Sequence, residues 1–89
     1  MYHIYYDRKN IGDILRISFD SEHLPNKTVL KDDLKISYFD EEVLSIDINN
    51  FSKITRIFFE GEIIEPCDEF LTLVNHILIN AGLAPLEAK

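Results

Sequence analysis

The chain has 89 residues, 46% of them hydrophobic, and nine Lys and Arg against sixteen Asp and Glu give a formal net charge of −7. This length suits one domain with one core, residues 1–89, and neither a signal peptide nor a membrane span is expected. The acidic balance argues against a free-standing RNA or DNA binder, because such proteins gain much of their affinity from Lys and Arg at phosphates. With a single cysteine, Cys67, there is no internal disulfide, and we expect a soluble, cytoplasmic protein.

The first predicted elements are two strands. Residues 2–6 form a short aromatic and β-branched run, and a polar turn follows it. From residue 13 the chain alternates, with Leu15, Ile17 and Phe19 on one side, which is typical of a half-buried strand. The short polar connection predicts an antiparallel hairpin, and Pro25-Asn26 marks the loop that comes next.

The middle of the chain predicts a second hairpin. Residues 28–30 read as a short edge segment, and residues 34–39 and 43–48 then alternate apolar and polar side chains around the acidic turn at residues 40–42. The Asn and Ser residues at 49–52 interrupt the pattern. Residues 53–59 are predicted to be a final strand, with both faces partly apolar.

The C-terminal part predicts one helix, residues 66–82. Its apolar positions recur at steps of three and four and form a stripe of Phe70, Leu73, Val74, Ile77, Leu78 and Ala81. Pro66 suits the first helical position, and Gly82 can adopt the left-handed conformation that ends a helix. The tail, residues 83–89, is predicted to fray or to lead into a further segment.

These elements predict an α+β fold. All strands fall within residues 2–60, and the connections between them are too short for parallel crossovers. We therefore expect an antiparallel β-meander of about five strands with the C-terminal helix packed on one face. The order of the strands in the sheet stays open.

No group of residues predicts catalysis, a cofactor or a metal. The candidate soft ligands are far apart in sequence: His3, His23, Cys67 and His76. The three glycines form no phosphate-binding loop. Cys67 would start the helix, but the acidic residues around it oppose a lowered thiol pKa, so we interpret it as a partly buried structural thiol. His76 is interpreted as a surface histidine.

The distribution of charge and of aromatic residues leaves two interpretations open. Residues 57–88 contain no Lys or Arg, and this acidic part is either a solvated face or a docking surface for a basic partner. The aromatic residues could form a stacking platform for single-stranded nucleic acid. Core packing is the preferred interpretation, because most of them lie in the predicted strands and the nearby charges are mostly acidic.

Three stretches carry a resemblance to a known family. They are YDRKNIGD running into LRISF at residues 6–19, LKISYFDEEVLSIDINNFS at residues 34–52, and FLTLVNHILINAGL at residues 70–83. In this order they resemble the N-terminal domain of a bacterial tRNA-binding protein family. There, a small α+β domain precedes an oligonucleotide-binding module related to that of the phenylalanyl-tRNA synthetase beta subunit. The likeness covers nearly the whole chain, although Asn10 stands where the family commonly has glycine.

The resemblance implies a non-catalytic accessory domain that positions or assembles a tRNA-binding-type protein, with tRNA contacted only by a separate module. The alternative is a stand-alone protein-interaction or dimerisation module that uses a strand edge near residues 2–6 or the acidic C-terminal surface. Neither hypothesis requires a small-molecule substrate or a membrane. The helix face predicted as the interaction surface consists of Asp68, Glu69, Thr72, Asn75 and His76.

Overall fold

A computed structural model describes residues 2–7, 13–19, 22–55, 61–63 and 67–87. The elements in chain order are β1 (His3–Asp7), β2 (Ile14–Ser18), β3 (Lys27–Lys31), β4 (Leu34–Phe39), β5 (Glu42–Asn49), α1 (Phe51–Thr55), β6 (Gly61–Ile63) and α2 (Asp68–Asn80). The strands form one sheet in which every pairing is antiparallel, and α2 follows them. The predicted α+β class, with an antiparallel sheet and one long C-terminal helix, is confirmed.

The sheet order, which the sequence left open, is β3-β4-β5-β2-β1-β6. The β1–β2 and β4–β5 hairpins form as predicted. The run β3-β4-β5 folds back so that β5 pairs with β2, and Ser45 lies opposite Ser18. On its other side β1 pairs with β6, so the edge predicted near residues 2–6 is not an open edge.

One face of the sheet is apolar and forms the core. The strand registers align two rows of side chains across it, namely Ile4, Ile17, Ile46, Ile36 and Val29, and Tyr6, Leu15, Ile48 and Leu34. Helix α2 contributes Phe70, Leu71, Val74 and Leu78 to the same buried cluster. Sheet and helix therefore bury each other's apolar sides, which neither could do alone.

The opposite face of the sheet is polar. One row across it consists of His3, Ser18, Ser45, Ser37 and Thr28, and the next of Tyr5, Arg16, Asp47, Lys35 and Leu30. Successive side chains of a strand point to opposite faces, so these residues are fixed there by the same registers that build the core.

The predicted acidic turn at residues 40–42 is the tip of the β4–β5 hairpin. Asp40 and Glu41 both have positive φ, at 48° and 69°. Two consecutive residues in this conformation make the type I′ turn that matches the twist of paired strands. The turn is thus a structural connection, as its composition indicates.

The predicted strand at residues 53–59 is wrong at its start, because residues 51–55 form the short helix α1. Asn50, with φ of 56°, redirects the chain, and Phe51 is then buried against the rings of Tyr6 and Phe70. This contact overrides the β propensity of the residues that follow. Residues 56–60 lie outside the described residues, and β6 at residues 61–63 lies beyond the span predicted for strands.

Helix α2 is shorter than the predicted 66–82, beginning at Asp68 and ending at Asn80. Pro66 lies outside the described residues. Gly82 has the predicted left-handed conformation, with φ of 81°. Its N–H donates to the Ile79 carbonyl and the Leu83 N–H to that of Leu78, which is the Schellman arrangement that ends a helix.

Residues 83–87 of the tail, predicted to fray or to lead into a further segment, make contacts with the rest of the chain. Leu86 is buried in the core cluster, and its backbone N–H and carbonyl both bond to the side chain of Asn75. The hydroxyl of Tyr2 donates to the carbonyl of Glu87. Leu86, with its backbone groups bonded to Asn75, and the partly buried Leu83 hold this segment against the core. The small and polar composition of the tail does not predict these contacts.

Candidate functional site

The predicted interaction surface lies on the outer face of α2. Asp68, Glu69, Thr72 and His76 are exposed, because the buried stripe of Phe70, Leu71, Val74 and Leu78 turns them away from the sheet. Thirteen residues at a rise of about 1.5 Å each make this face about 20 Å long. His76 is a surface histidine, as interpreted from the sequence.

The negative charge of this face is concentrated at one end. Asp68 and Glu69 occupy the first turn of α2, and the last turn carries no basic residue. Carboxylates are favourable beside the positive end of the helix dipole, so they stabilise the helix as well as charging its surface. Thr72 donates its hydroxyl to the Asp68 carbonyl at 2.8 Å and adds no charge.

Asn75 differs from the other four predicted residues because its carboxamide is hydrogen-bonded within the chain. Its Nδ2 donates to the Leu86 carbonyl at 3.1 Å, and its Oδ1 accepts from the Leu86 N–H at 2.7 Å. Its side chain therefore holds the C-terminal segment. Ile79, which the sequence analysis did not select, is 57% exposed and lies one turn beyond His76, so it adds an apolar contact to the outer face.

A second polar group lies around Asp13, at the start of β2. Its carboxylate accepts bonds from the Ser52 N–H at 2.9 Å, from the Ser52 hydroxyl at 2.7 Å and from the hydroxyl of Tyr6. Its backbone carbonyl also accepts from the Phe51 N–H. Tyr6, Phe51 and Ser52 are buried, so this arrangement joins three parts of the chain and is a structural site.

An ion pair lies on the polar face of the sheet. Arg16 donates from Nε to Asp47 Oδ1 at 2.7 Å and from a terminal nitrogen to Oδ2 at 2.9 Å. The hydrogen bond with Asp47 raises the pKa of the Arg16 guanidinium, although burial opposes the shift. Asp47 is buried while the Arg16 side chain is about half exposed, so the guanidinium covers a carboxylate that would otherwise be unpaired.

Two lysines near the β3 end of the sheet also make contacts within the chain. Lys27 Nζ lies 5.8 Å from the centre of the Tyr38 ring. Lys31 Nζ donates to the Ala81 carbonyl at 2.9 Å, at the negative end of α2. These cations therefore stabilise the fold and form no continuous basic patch.

The interpretation of Cys67 as partly buried is wrong, since its side chain is exposed. It stands immediately before α2 as the N-cap residue and makes no side-chain capping bond. Residues 67–69 are all exposed, and the first buried residue of α2 is Phe70.

Most of the described aromatic side chains belong to the core or pack against it, as interpreted. Tyr6, Phe51 and Phe70 are buried, and Tyr2 and Tyr38 pack at its margin. Tyr5, on β1, and Phe19, just after β2, are each 38% exposed. Tyr5 shares its row on the polar face with Arg16 and Lys35, but Asp47 lies between these two cations and pairs with Arg16. The row therefore lacks the uninterrupted positive charge that a stacking platform uses.

The described residues contain no group of three or more His, Cys, Asp or Glu side chains placed to hold a metal ion. A shallow cavity of about 200 Å³ lies between the β3–β4 turn and the C-terminal end of α2. Its lining is Lys31, Asp32, Asp33, Leu34, Ile48, Ile77, Asn80 and Ala81. Lys31 is bonded to a helix carbonyl there, and we assign no chemistry to this cavity.

Comparison of the chain with protein-family models, with curated proteins and with solved structures finds no match in any of the three. Among the described helices, none is long and apolar enough to cross a membrane. Geometry and charge are therefore the basis for assigning a function.

Proposed function

We propose that this chain is a non-catalytic accessory domain of a bacterial, cytoplasmic tRNA-binding-type protein. It positions or assembles that protein, and a separate module makes the main contacts with tRNA. In this proposal the outer face of α2, with Asp68, Glu69 and His76, docks against the basic surface of that module.

The residues that carry the family resemblance have structural roles consistent with this proposal. Tyr6, Asp13 and Phe51 meet in the buried contacts around the start of β2, and Asn75 secures the C-terminal segment. Residues of this kind maintain a fold, and a resemblance resting on them favours a shared fold and position rather than a shared binding site.

The observation that carries the proposal is that three of the five basic side chains in the described part of the chain make contacts within the fold. Arg16, Lys27 and Lys31 are engaged by a carboxylate, an aromatic ring and a helix carbonyl, in a chain with a net charge of −7. Phosphate binding requires clustered cations that release counterions. The exposed charge best suited to binding is instead the acidic start of α2, whose complement is a basic protein surface.

The docking half of the proposal can be tested with a separately produced oligonucleotide-binding module of the phenylalanyl-tRNA synthetase beta type. We expect titration calorimetry to detect binding, and the double change Asp68→Lys/Glu69→Lys to weaken it about tenfold or more. The matched control is Glu22→Lys/Glu42→Lys, which changes net charge equally at exposed sites away from α2. Absence of binding, or equal weakening by both pairs of changes, contradicts docking through α2.

The second candidate function, a protein-interaction or dimerisation module, is favoured by a different observation. The outer strand β3 is exposed along nearly its whole length.

A further inference from the structure

Strand β3 is an open edge of the sheet in the part of the chain that the structure describes. It stands at the end of the strand order, and four of its five residues are exposed. Leu30 within it is 76% exposed, and Leu24 before it is 86% exposed. Exposed aliphatic side chains on an unpaired strand mark a surface suited to pairing with another strand.

The direction of the backbone groups on this edge follows from the register. The Asn49 N–H donates to the Asp33 carbonyl, so the backbone of Asp33, just before β4, faces β5. Alternate residues face alternate sides, and therefore Leu34, Ile36 and Tyr38 direct their backbone groups to β3. Their partners in β3 are Lys31, Val29 and Lys27.

The intervening residues of β3, Thr28 and Leu30, consequently present their N–H and carbonyl groups outward. An added strand would bond to these two residues. The side chain of Leu30 lies on the polar face of the sheet, in the row that contains Lys35.

The charges around β3 are self-complementary for antiparallel pairing. Lys27 lies at one end, and the exposed turn Asp32-Asp33 lies just beyond the other. Two copies aligned on Val29 would place Lys27 opposite Lys31, which is unfavourable. Alignment on Leu30 instead removes this pair and brings Lys27 of each copy to the end of the other β3 at which the acidic turn Asp32-Asp33 lies, and the two Leu30 side chains meet at the symmetry axis.

We propose that β3 is a self-association edge, and that a second copy of this chain pairs with it antiparallel about Leu30. The pairing is isologous, so it closes as a dimer in which the two sheets become continuous. Lys27 and the acidic turn Asp32-Asp33 set the register, and Leu30 supplies the apolar contact. This inference rests on the second candidate function, to which it gives a partner and a register, and it is independent of the accessory role in tRNA binding proposed first.

A strand of five residues buries less surface than a standard protein interface, so the dimer is expected to be weak and reversible. Sedimentation velocity over about a 100-fold range of concentration should show the monomer converting to a dimer. A single monomeric species at every concentration contradicts the proposal.

The apolar contact is tested by Leu30→Lys, which places two like charges at the symmetry axis. We expect this change to shift the dissociation constant upward about tenfold or more. Ile79→Lys is the matched control, because it replaces another exposed aliphatic residue, on α2. Loss of dimer in Ile79→Lys with retention in Leu30→Lys overturns the assignment to β3.

The register is tested by two charge reversals. Lys27→Glu and the double change Asp32→Lys/Asp33→Lys should each remain monomeric alone, because each brings like charges together at both ends of a homodimer. An equimolar mixture should dimerise, since each end of the mixed dimer then joins opposite charges. Both variants must be folded to do so, which separates misfolding from lost pairing. Failure of the mixture to dimerise where the unmodified chain does contradicts this register.

Discussion

The carboxylate of Asp13 accepts two hydrogen bonds from Ser52, a residue 39 positions further along the chain. This pair joins the start of β2 to α1, and the hydroxyl of Tyr6 completes the contact from β1. Asp13 has a φ of 57°, a conformation in which Asp and Asn are among the better tolerated non-glycine residues. Its charge and its backbone conformation therefore both suit this position.

We expect Asp13→Ala to lower the free energy of unfolding by about 2–4 kcal/mol, because it leaves buried donors without an acceptor. Urea denaturation gives this value directly. Asp32→Ala is the matched control, since Asp32 also has positive φ, at 51°, but is exposed in a turn. Its cost should be about 1 kcal/mol. Equal costs at the two sites would show that backbone conformation, and not the contact with Ser52, is responsible.

Loss of Arg16 alone should lower the free energy of unfolding more than loss of both members of the Arg16–Asp47 pair. Arg16→Met leaves a buried carboxylate unpaired and should cost about 2 kcal/mol of unfolding free energy. The double change Arg16→Met/Asp47→Leu should recover about half of that loss, because no uncompensated charge is left. Lys35→Met, on the strand next to Asp47, is the control and should cost about 0.5 kcal/mol or less. A double variant that is less stable than Arg16→Met refutes this explanation.

The pH dependence of the same pair follows from the raised pKa of Arg16. A cation whose pKa is higher in the folded state contributes its full stabilisation below its unfolded pKa, and loses it only as pH rises through the folded value. The stability difference between the unmodified chain and Arg16→Met should therefore be the same at pH about 7 and about 9. A difference that shrinks over this range conflicts with a guanidinium that stays charged.

Asn75 should stabilise the docking of the C-terminal segment, residues 83–87, more than it stabilises α2. Asn75→Asp removes the Nδ2 donor and places a carboxylate beside the Leu86 carbonyl, so we expect a cost of about 1–2 kcal/mol. Hydrogen exchange at the Leu86 amide should accelerate, with little change in the middle of α2. Asn80→Asp, at an exposed position on the same helix, serves as the comparison. Unchanged protection at Leu86 would show that apolar burial alone holds the segment.

The exposed thiol of Cys67 should react in the folded protein. Ellman's reagent is expected to modify it completely without denaturant, at a rate typical of an accessible thiol with no activating base. A reaction that begins only when urea unfolds the chain would show that the side chain is buried, as the sequence analysis first indicated.

Local patterns in the sequence predict most of this fold. The hairpins follow from alternation, and the end of α2 follows from Gly82, because these signals lie within a few residues of the elements they define. The pairing of β2 with β5 and the conversion of residues 51–55 into α1 depend on partners about 30 to 40 positions away. No short window contains that information.

The candidate surface is predictable to a similar extent. Helical periodicity places Asp68, Glu69, Thr72 and His76 on the outer face, and these four residues are exposed. It does not show that Asn75 is bonded to a segment eleven residues later. It also gives no sign that Lys27 and Lys31 are engaged within the fold, which matters most for judging nucleic-acid binding.

The measurement that tests the central claim most directly is a titration of labelled tRNA with this chain at about 50 mM and about 200 mM salt. We predict no saturable binding in the micromolar range at either salt concentration, because the chain is acidic and three of its cations, Arg16, Lys27 and Lys31, are engaged within the fold. Micromolar binding that weakens steeply between the two salt concentrations would contradict it. That result would place an RNA-binding surface on this domain itself.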